Sequence, residues 1–203
     1  MVATTASWFA RQLNEPLHRV AYMPNNSVEG DCGFDLSIGF VNTPYLRLRM
    51  LCKSERSFCD QPFADKLLLD GDSAKQKANE KERSHRHVRL LLETFHKSHG
   101  ACQPFILFQQ CYCLHDFRRM GITLTGGVVN PDVEDSLRSI CVKLDSTEFI
   151  AAFEKNTSFT ISATSNPNSG SVSVEAQFGD KTTMELETAT LGSLVELVRN
   201  SKQ

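Results

Sequence analysis

The chain has 203 residues, 40 % of them hydrophobic and 23 % charged, with a formal net charge of −2. This composition excludes a disordered or collagenous chain. No apolar run approaches the roughly 18 residues of a bilayer-spanning helix, so a soluble, folded protein without membrane insertion is expected. A domain of this size buries roughly 70 % of its unfolded surface and needs no covalent staples, so residues 1–203 are expected to form one domain.

Residues 1–20 read as a short amphipathic helix built on Trp8, Phe9 and Leu13. The first fourteen residues hold one basic side chain, Arg11, no acid and several hydroxyls, a pattern shared with organellar presequences; an ordinary first helix is the plainer reading. After turn chemistry at Pro24–Gly30 the period changes. Residues 34–40 alternate apolar with polar or small side chains, and residues 45–51 do so again beyond Asn42-Thr43-Pro44, which predicts two strands joined by a tight turn. Apolar density then falls, and residues 53–83 are expected to form a surface loop. Val88, Leu91, Leu92 and Phe95 fall at helical spacing and predict a helix over residues 79–96. A strand pair is expected from 104–115 and 120–129, turning around Asp116 to Arg119, and then a helix from Pro131 toward Ile140. In the last third, residues 159–163, 172–178 and 183–187 alternate between turn-rich segments, and a helix is expected over 189–200. Residues 142–153 and 184–195 share one pattern of strand end, acidic-hydroxyl cap and apolar helix, with Asp145-Ser146 and Glu187-Thr188 as the expected caps.

Charge is unevenly distributed. Residues 1–119 carry 16 basic and 13 acidic side chains, whereas residues 120–203 carry 6 and 11. The basic excess is densest from Lys75 to Lys97, where seven Lys and Arg face three Glu. Together with Arg47 and Arg49 of the expected hairpin, Arg83, Arg86 and Arg89 are candidates for neutralising the phosphates of a single-stranded nucleic acid. A solvated helix face interlaced with Glu80, Glu82 and Glu93 explains the same residues more simply.

Seven cysteines, an odd number with no apolar signal peptide before them, do not suggest a secreted disulfide framework. They point to a reducing intracellular compartment, cytoplasm or nucleus, with the mitochondrion as the alternative. His96, His99, Cys102, Cys111, Cys113 and His115 are six soft ligands within twenty residues and form the candidate metal set. Their spacing fits no standard knuckle, and two cysteines at period two in an apolar strand would fill one core face equally well. A Cys113–His115 nucleophilic pair lacks an orienting group, and no phosphate-binding loop is present. No cofactor is therefore expected.

The segment Leu186-Glu187-Thr188-Ala189-Thr190-Leu191-Gly192-Ser193-Leu194-Val195-Glu196-Leu197, with its partner at Glu148-Phe149-Ile150-Ala151, resembles the strand-to-helix junctions of Whirly-type single-stranded nucleic-acid-binding proteins. That resemblance implies repeated four-stranded sheets each followed by a helix, single-stranded DNA or RNA as ligand, and oligomers. The Lys-Gly-Lys-Ala-Ala-Leu stretch of plant members is absent here.

These readings converge on an α+β fold, with antiparallel strands in one or two sheets and helices packed on them. The expected function is a non-enzymatic protein–protein interaction module, a subunit or adaptor of a larger assembly, with protein partners expected and an oligomer as a further option. The alternative is a single-stranded RNA- or DNA-binding protein using the basic segment 75–97.

Overall fold

A computed structural model describes residues 2–42, 46–56, 67–74, 80–111, 139–165, 172–179 and 182–202. The chain opens with helix α1 (Val2–Gln12) and a single helical turn, α2 (Leu17–Val20). The expected continuous helix breaks because Asn14 turns left-handed at φ 53° and Pro16 has no N–H to continue the ladder. Strand β1 (Ala21–Tyr22), helix α3 (Asn26–Cys32) and strand β2 (Leu36–Ile38) follow. Strand β3 (Arg47–Arg56) pairs antiparallel with β2, as the alternation predicts.

The expected loop 53–83 is corrected at both ends and in the middle. β3 runs on to Arg56, Leu67–Asp72 forms strand β4, and helix α4 (Glu80–Lys97) begins before residue 83. Two acids and a glycine hide β4 from a propensity reading, yet each has a structural partner. Thr160 donates its hydroxyl to Asp70 at 2.8 Å, Asp72 accepts the Ala74 amide at 2.9 Å, and Gly71 lies directly against the ring of Phe159.

Strand β5 (Cys102–Cys111) pairs parallel with β3 over its whole length, from Arg47↔Cys102 to Arg56↔Cys111. Parallel neighbours need a crossover, and α4 with β4 supplies it, so this part of the chain is a strand–helix–strand unit and not a hairpin pair. The other edge of β5 pairs antiparallel with strand β6 (Ser139–Lys143). The expected strand 120–129 and turn 116–119 lie outside the described residues, as does most of the expected helix from Pro131. Its last two positions, Ser139 and Ile140, belong to β6.

Helix α5 (Thr147–Lys155), the hairpin of β7 (Ser158–Ser165) and β8 (Val172–Phe178), strand β9 (Thr182–Glu185), strand β10 (Thr188–Ala189) and helix α6 (Leu191–Asn200) complete the chain. The first sheet has the order β1-β2-β3-β5-β6-β10 and the second β4-β7-β8-β9. All pairs except β3–β5 are antiparallel, and the fold is α+β.

The two similar junctions meet in space, because β10 lies beside β6 with Thr188 opposite Val142. Ser146 caps α5 as expected, accepting the Phe149 amide at 3.1 Å. The second cap is Thr190, which accepts the Ser193 amide, and not Glu187-Thr188. Those two residues are already engaged by the sheet. The Glu187 carbonyl accepts the Lys143 amide at 3.0 Å, and its carboxylate pairs with the Lys143 ammonium at 2.7 Å.

Two apolar cores lie on opposite faces of the first sheet. Phe105 and Leu107 of β5 join Phe9 of α1 and Leu194 and Val198 of α6 in one; Ile106 and Phe108 join Val88, Leu91, Phe149, Phe159 and Phe178 in the other. A strand buried on both faces shows a continuous apolar run, which is why Pro104–Phe108 does not alternate. Within the second core α4 touches strands of both sheets, and His85 stacks on Phe153 with ring centroids 4.6 Å apart. In β8, Val174, Ala176 and Phe178 point inward while Ser173, Glu175 and Gln177 stay exposed. The chain ends meet across the first core: Arg199 donates to the Gln12 carbonyl at 2.8 Å, and Lys202 pairs with Glu15 at 2.7 Å. No helix among the described residues is long and apolar enough to cross a membrane.

Candidate functional site

A cleft of about 620 Å³ opens between α3, β3 and α4. Its walls follow from local chemistry. Asn25 caps α3 by accepting the Val28 amide, and Gly33 ends the helix in the left-handed region at φ 74°. A Cβ on Gly33 would lie 2.6 Å from the His87 carbonyl oxygen, so glycine lets this turn dock on α4. The next residues turn toward β3. Phe34 is buried beneath the Arg49 guanidinium, 4.6 Å from its ring centroid, and the Asp35 carboxylate accepts the Cys52 amide at 2.6 Å. Across the cleft Arg83 of α4 donates to Glu29 of α3 at 3.1 Å, and Lys53 of β3 lies 3.9 Å from Glu80.

The electrostatics of this cleft are unusual. Burial pushes the Asp35 carboxyl up to about 6; the Cys52 amide bond opposes that shift, and the neighbouring Glu29 carboxyl adds to it. Burial lowers the pKa of His87, which keeps its ring neutral at pH 7. His87 is only 3 % exposed, and its Nε2 finds no partner among the described residues; the same holds for Nε of Arg86, its neighbour in the cleft wall. Among the described residues four buried side-chain nitrogens lack a partner, Arg49 Nε, His85 Nε2, Arg86 Nε and His87 Nε2, and the last two belong to residues that line this cleft, which makes it the candidate site. Burial also raises the Cys52 thiol, and pushes that of Cys141 up to about 12, so neither is a thiolate nucleophile at neutral pH.

The shift of Asp35 makes stability depend on pH. Its folded-state pKa lies above the ordinary 3.8, so the stabilisation it brings is fully present below about pH 4 and is lost as pH rises through 6. Asp35→Asn keeps an acceptor for the Cys52 amide and removes the titration. The unfolding free energy of the wild type, measured by urea titration, should therefore fall relative to that of the variant between about pH 4 and 7. Parallel curves would show that Asp35 is not held in this environment.

The five candidate arginines separate. Arg83 and Arg86 come together in the cleft. Arg47 is half-buried and donates to the Gly39 carbonyl at 2.7 Å, Arg49 covers Phe34, and Arg89 is exposed on α4. Several cations of the basic segment already face acids: Lys81 pairs with Asp70 at 3.3 Å, Arg83 with Glu29, and Lys97 with Glu93 at 3.5 Å.

Of the candidate metal ligands, His96 and His99 are exposed at the end of α4, Cys102 is a half-buried free thiol, and Cys111 ends β5. Cys113 and His115 lie outside the described residues. Among the described residues no group of three or more His, Cys, Asp or Glu is gathered to hold a metal.

Glu29, Asp35, Lys53 and His87 are the site residues that sequence reasoning missed. The one available signal was an acid, Asp35, inside an alternating strand; it reads as a solvent-facing position and is instead folded back onto β3.

A second feature lies in residues 17–41, which include strand β1. Among the described residues, the exposed large apolar side chains are Leu17, Tyr22, Met23, Val28, Val41 and Leu197, and all but the last fall between residues 17 and 41. Among the described strands β1 pairs with β2 alone, and the Val41 amide donates to the Arg19 carbonyl at 2.9 Å, which ties these two segments together.

No protein-family model matches the chain, and no match is found among curated proteins or solved structures.

Proposed function

We propose that the chain is a non-enzymatic protein–protein interaction module, a subunit or adaptor of a larger assembly. The observation that carries this reading is that five of the six exposed large apolar side chains among the described residues fall between residues 17 and 41, the segment that includes strand β1, with Tyr22 55 % and Val41 59 % exposed. Scattered apolar residues are ordinary on a protein surface. Several concentrated in one short segment suit a protein partner, and aromatic side chains contribute most to such contacts. The matched charges of α4 support the same preference, since cations already paired with acids gain less from phosphate. Free thiols at Cys32, Cys52, Cys102 and Cys141 support a reducing compartment for the assembly.

The test is affinity purification of the tagged chain from its own cells, with and without nuclease, alongside the double variant Tyr22→Ser/Val41→Asp. Both side chains are exposed, so the variant should melt within about 0.5 kcal/mol of the wild type. A defined set of proteins that survives nuclease and is lost with the variant is the expected result. Partners that vanish on nuclease treatment would replace this reading with single-stranded nucleic-acid binding.

A further inference from the structure

We propose that the cleft between α3, β3 and α4 binds a small zwitterion of the α-amino-acid class, with its carboxylate on Arg86 and His87 and its ammonium at the Glu29–Asp35 carboxyl pair. The proposal is independent of the assembly reading, and either can fail without the other.

Three observations lead to it. The donors come first. Arg86 Nε and His87 Nε2 are both buried and without partners among the described residues, and both side chains line the cavity. A ligand oxygen accepting from both would relieve the cost of leaving them unmade. Guanidinium and imidazole N–H groups suit a carboxylate.

The second observation is the balance of charge, which excludes simpler ligands. A plain anion in this space would meet Glu29, Asp35, Glu80 and Glu82; a plain cation would meet Lys53, Arg83 and Arg86. Each is opposed by like charges at close range. A molecule carrying both signs a few ångströms apart answers both sets. The third is size: about 620 Å³ falls within the range of small-molecule sites and is far too small for a folded partner.

The Glu29–Asp35 pair adds a signature that separates a zwitterion from an anion. Asp35 holds a proton more tightly than usual because it is buried and beside Glu29. An ammonium placed there favours the ionised Asp35 and releases a proton, while the carboxylate on His87 favours the imidazolium and takes one up, so near pH 6 a zwitterion takes up fewer protons than an oxyanion alone. The titratable and charged groups that line the cavity with Asp35 are Glu29, Cys52, Lys53, Glu80, Glu82, Arg83, Arg86 and His87.

The experiment screens the purified full chain by thermal shift against each proteinogenic L-amino acid, with acetate and methylammonium as half-ligands. Any hit is then titrated calorimetrically near pH 6 in two buffers of different ionisation heat. The expected result is that at least one amino acid raises the melting temperature saturably, by roughly 5–10 °C at about a hundredfold excess over its Kd. Binding should take up fewer protons than acetate does, weaken at least roughly tenfold in Arg86→Gln, and move the His87 imidazole nitrogen resonance of the wild-type protein. The proposal is overturned if no amino acid binds, if acetate or methylammonium alone binds as well, or if neither the Arg86→Gln affinity nor the His87 resonance changes.

Discussion

Leu194→Asp is expected to unfold the first core and not merely to loosen the last helix. Leu194 is 1 % exposed and packs with Phe9, Leu48, Phe105 and Val198 in one cluster. Removing a buried leucine costs about 3–5 kcal/mol on its own. The aspartate must also enter an apolar site unpaired, or protonate to do so. Together these exceed roughly 5 kcal/mol, comparable with the whole stability of many domains of this size. Circular dichroism should show loss of cooperative melting, whereas Leu197→Asp, on the exposed side of the same helix, should stay within about 0.5 kcal/mol of wild type. An unchanged melting curve for Leu194→Asp would mean that α6 does not dock on this core.

Gly71→Val should have the next largest effect. A Cβ at Gly71 would lie 2.2 Å from Cε1 of Phe159, the residue opposite it in the β4–β7 pair. The ring cannot swing aside freely, because Phe153, Phe178 and His85 lie around it with centroids 5.6, 6.4 and 6.0 Å away. Overpacking of this kind costs about 1–3 kcal/mol, which lowers the melting temperature of a chain this long by roughly 2–12 °C. Phe159→Leu in the same background should recover part of that loss, since the two substitutions act on one contact. Additive losses would place the strain elsewhere.

What was legible in the sequence is what local periodicity encodes. The hairpin β7–β8 announces itself by alternation on both sides of a turn, α4 and α6 by apolar residues at helical spacing, and the α5 cap by Ser146 before an apolar run. What stayed hidden depends on distant partners. The parallel pairing of β3 with β5 leaves no turn between them to read. β4 escaped because Asp70, Gly71 and Asp72 look like loop, while their fitness for a strand comes from Thr160, Phe159 and Ala74. The cleft was hidden for the same reason. Glu29, Asp35, Lys53 and His87 come from four separate stretches, and a charged or polar residue in a single sequence reads as surface until its neighbours are known. The arginines show the limit most plainly: charge alone does not distinguish Arg47, bonded to Gly39, from Arg89, which is exposed.

The contact between α6 and α1 bears on how the protein is made. Arg199 holds the carbonyl of Gln12 across 187 residues, so the α6 side chains that complete the first core are synthesised long after α1. At roughly 5–20 residues per second, the apolar face of α1, with Trp8 and Phe9, waits on the order of 10–40 s before its covering helix exists. During that interval a nascent chain would be a natural client for a ribosome-associated chaperone, and the second core, whose β7–β8 hairpin and α5 emerge earlier, can assemble first.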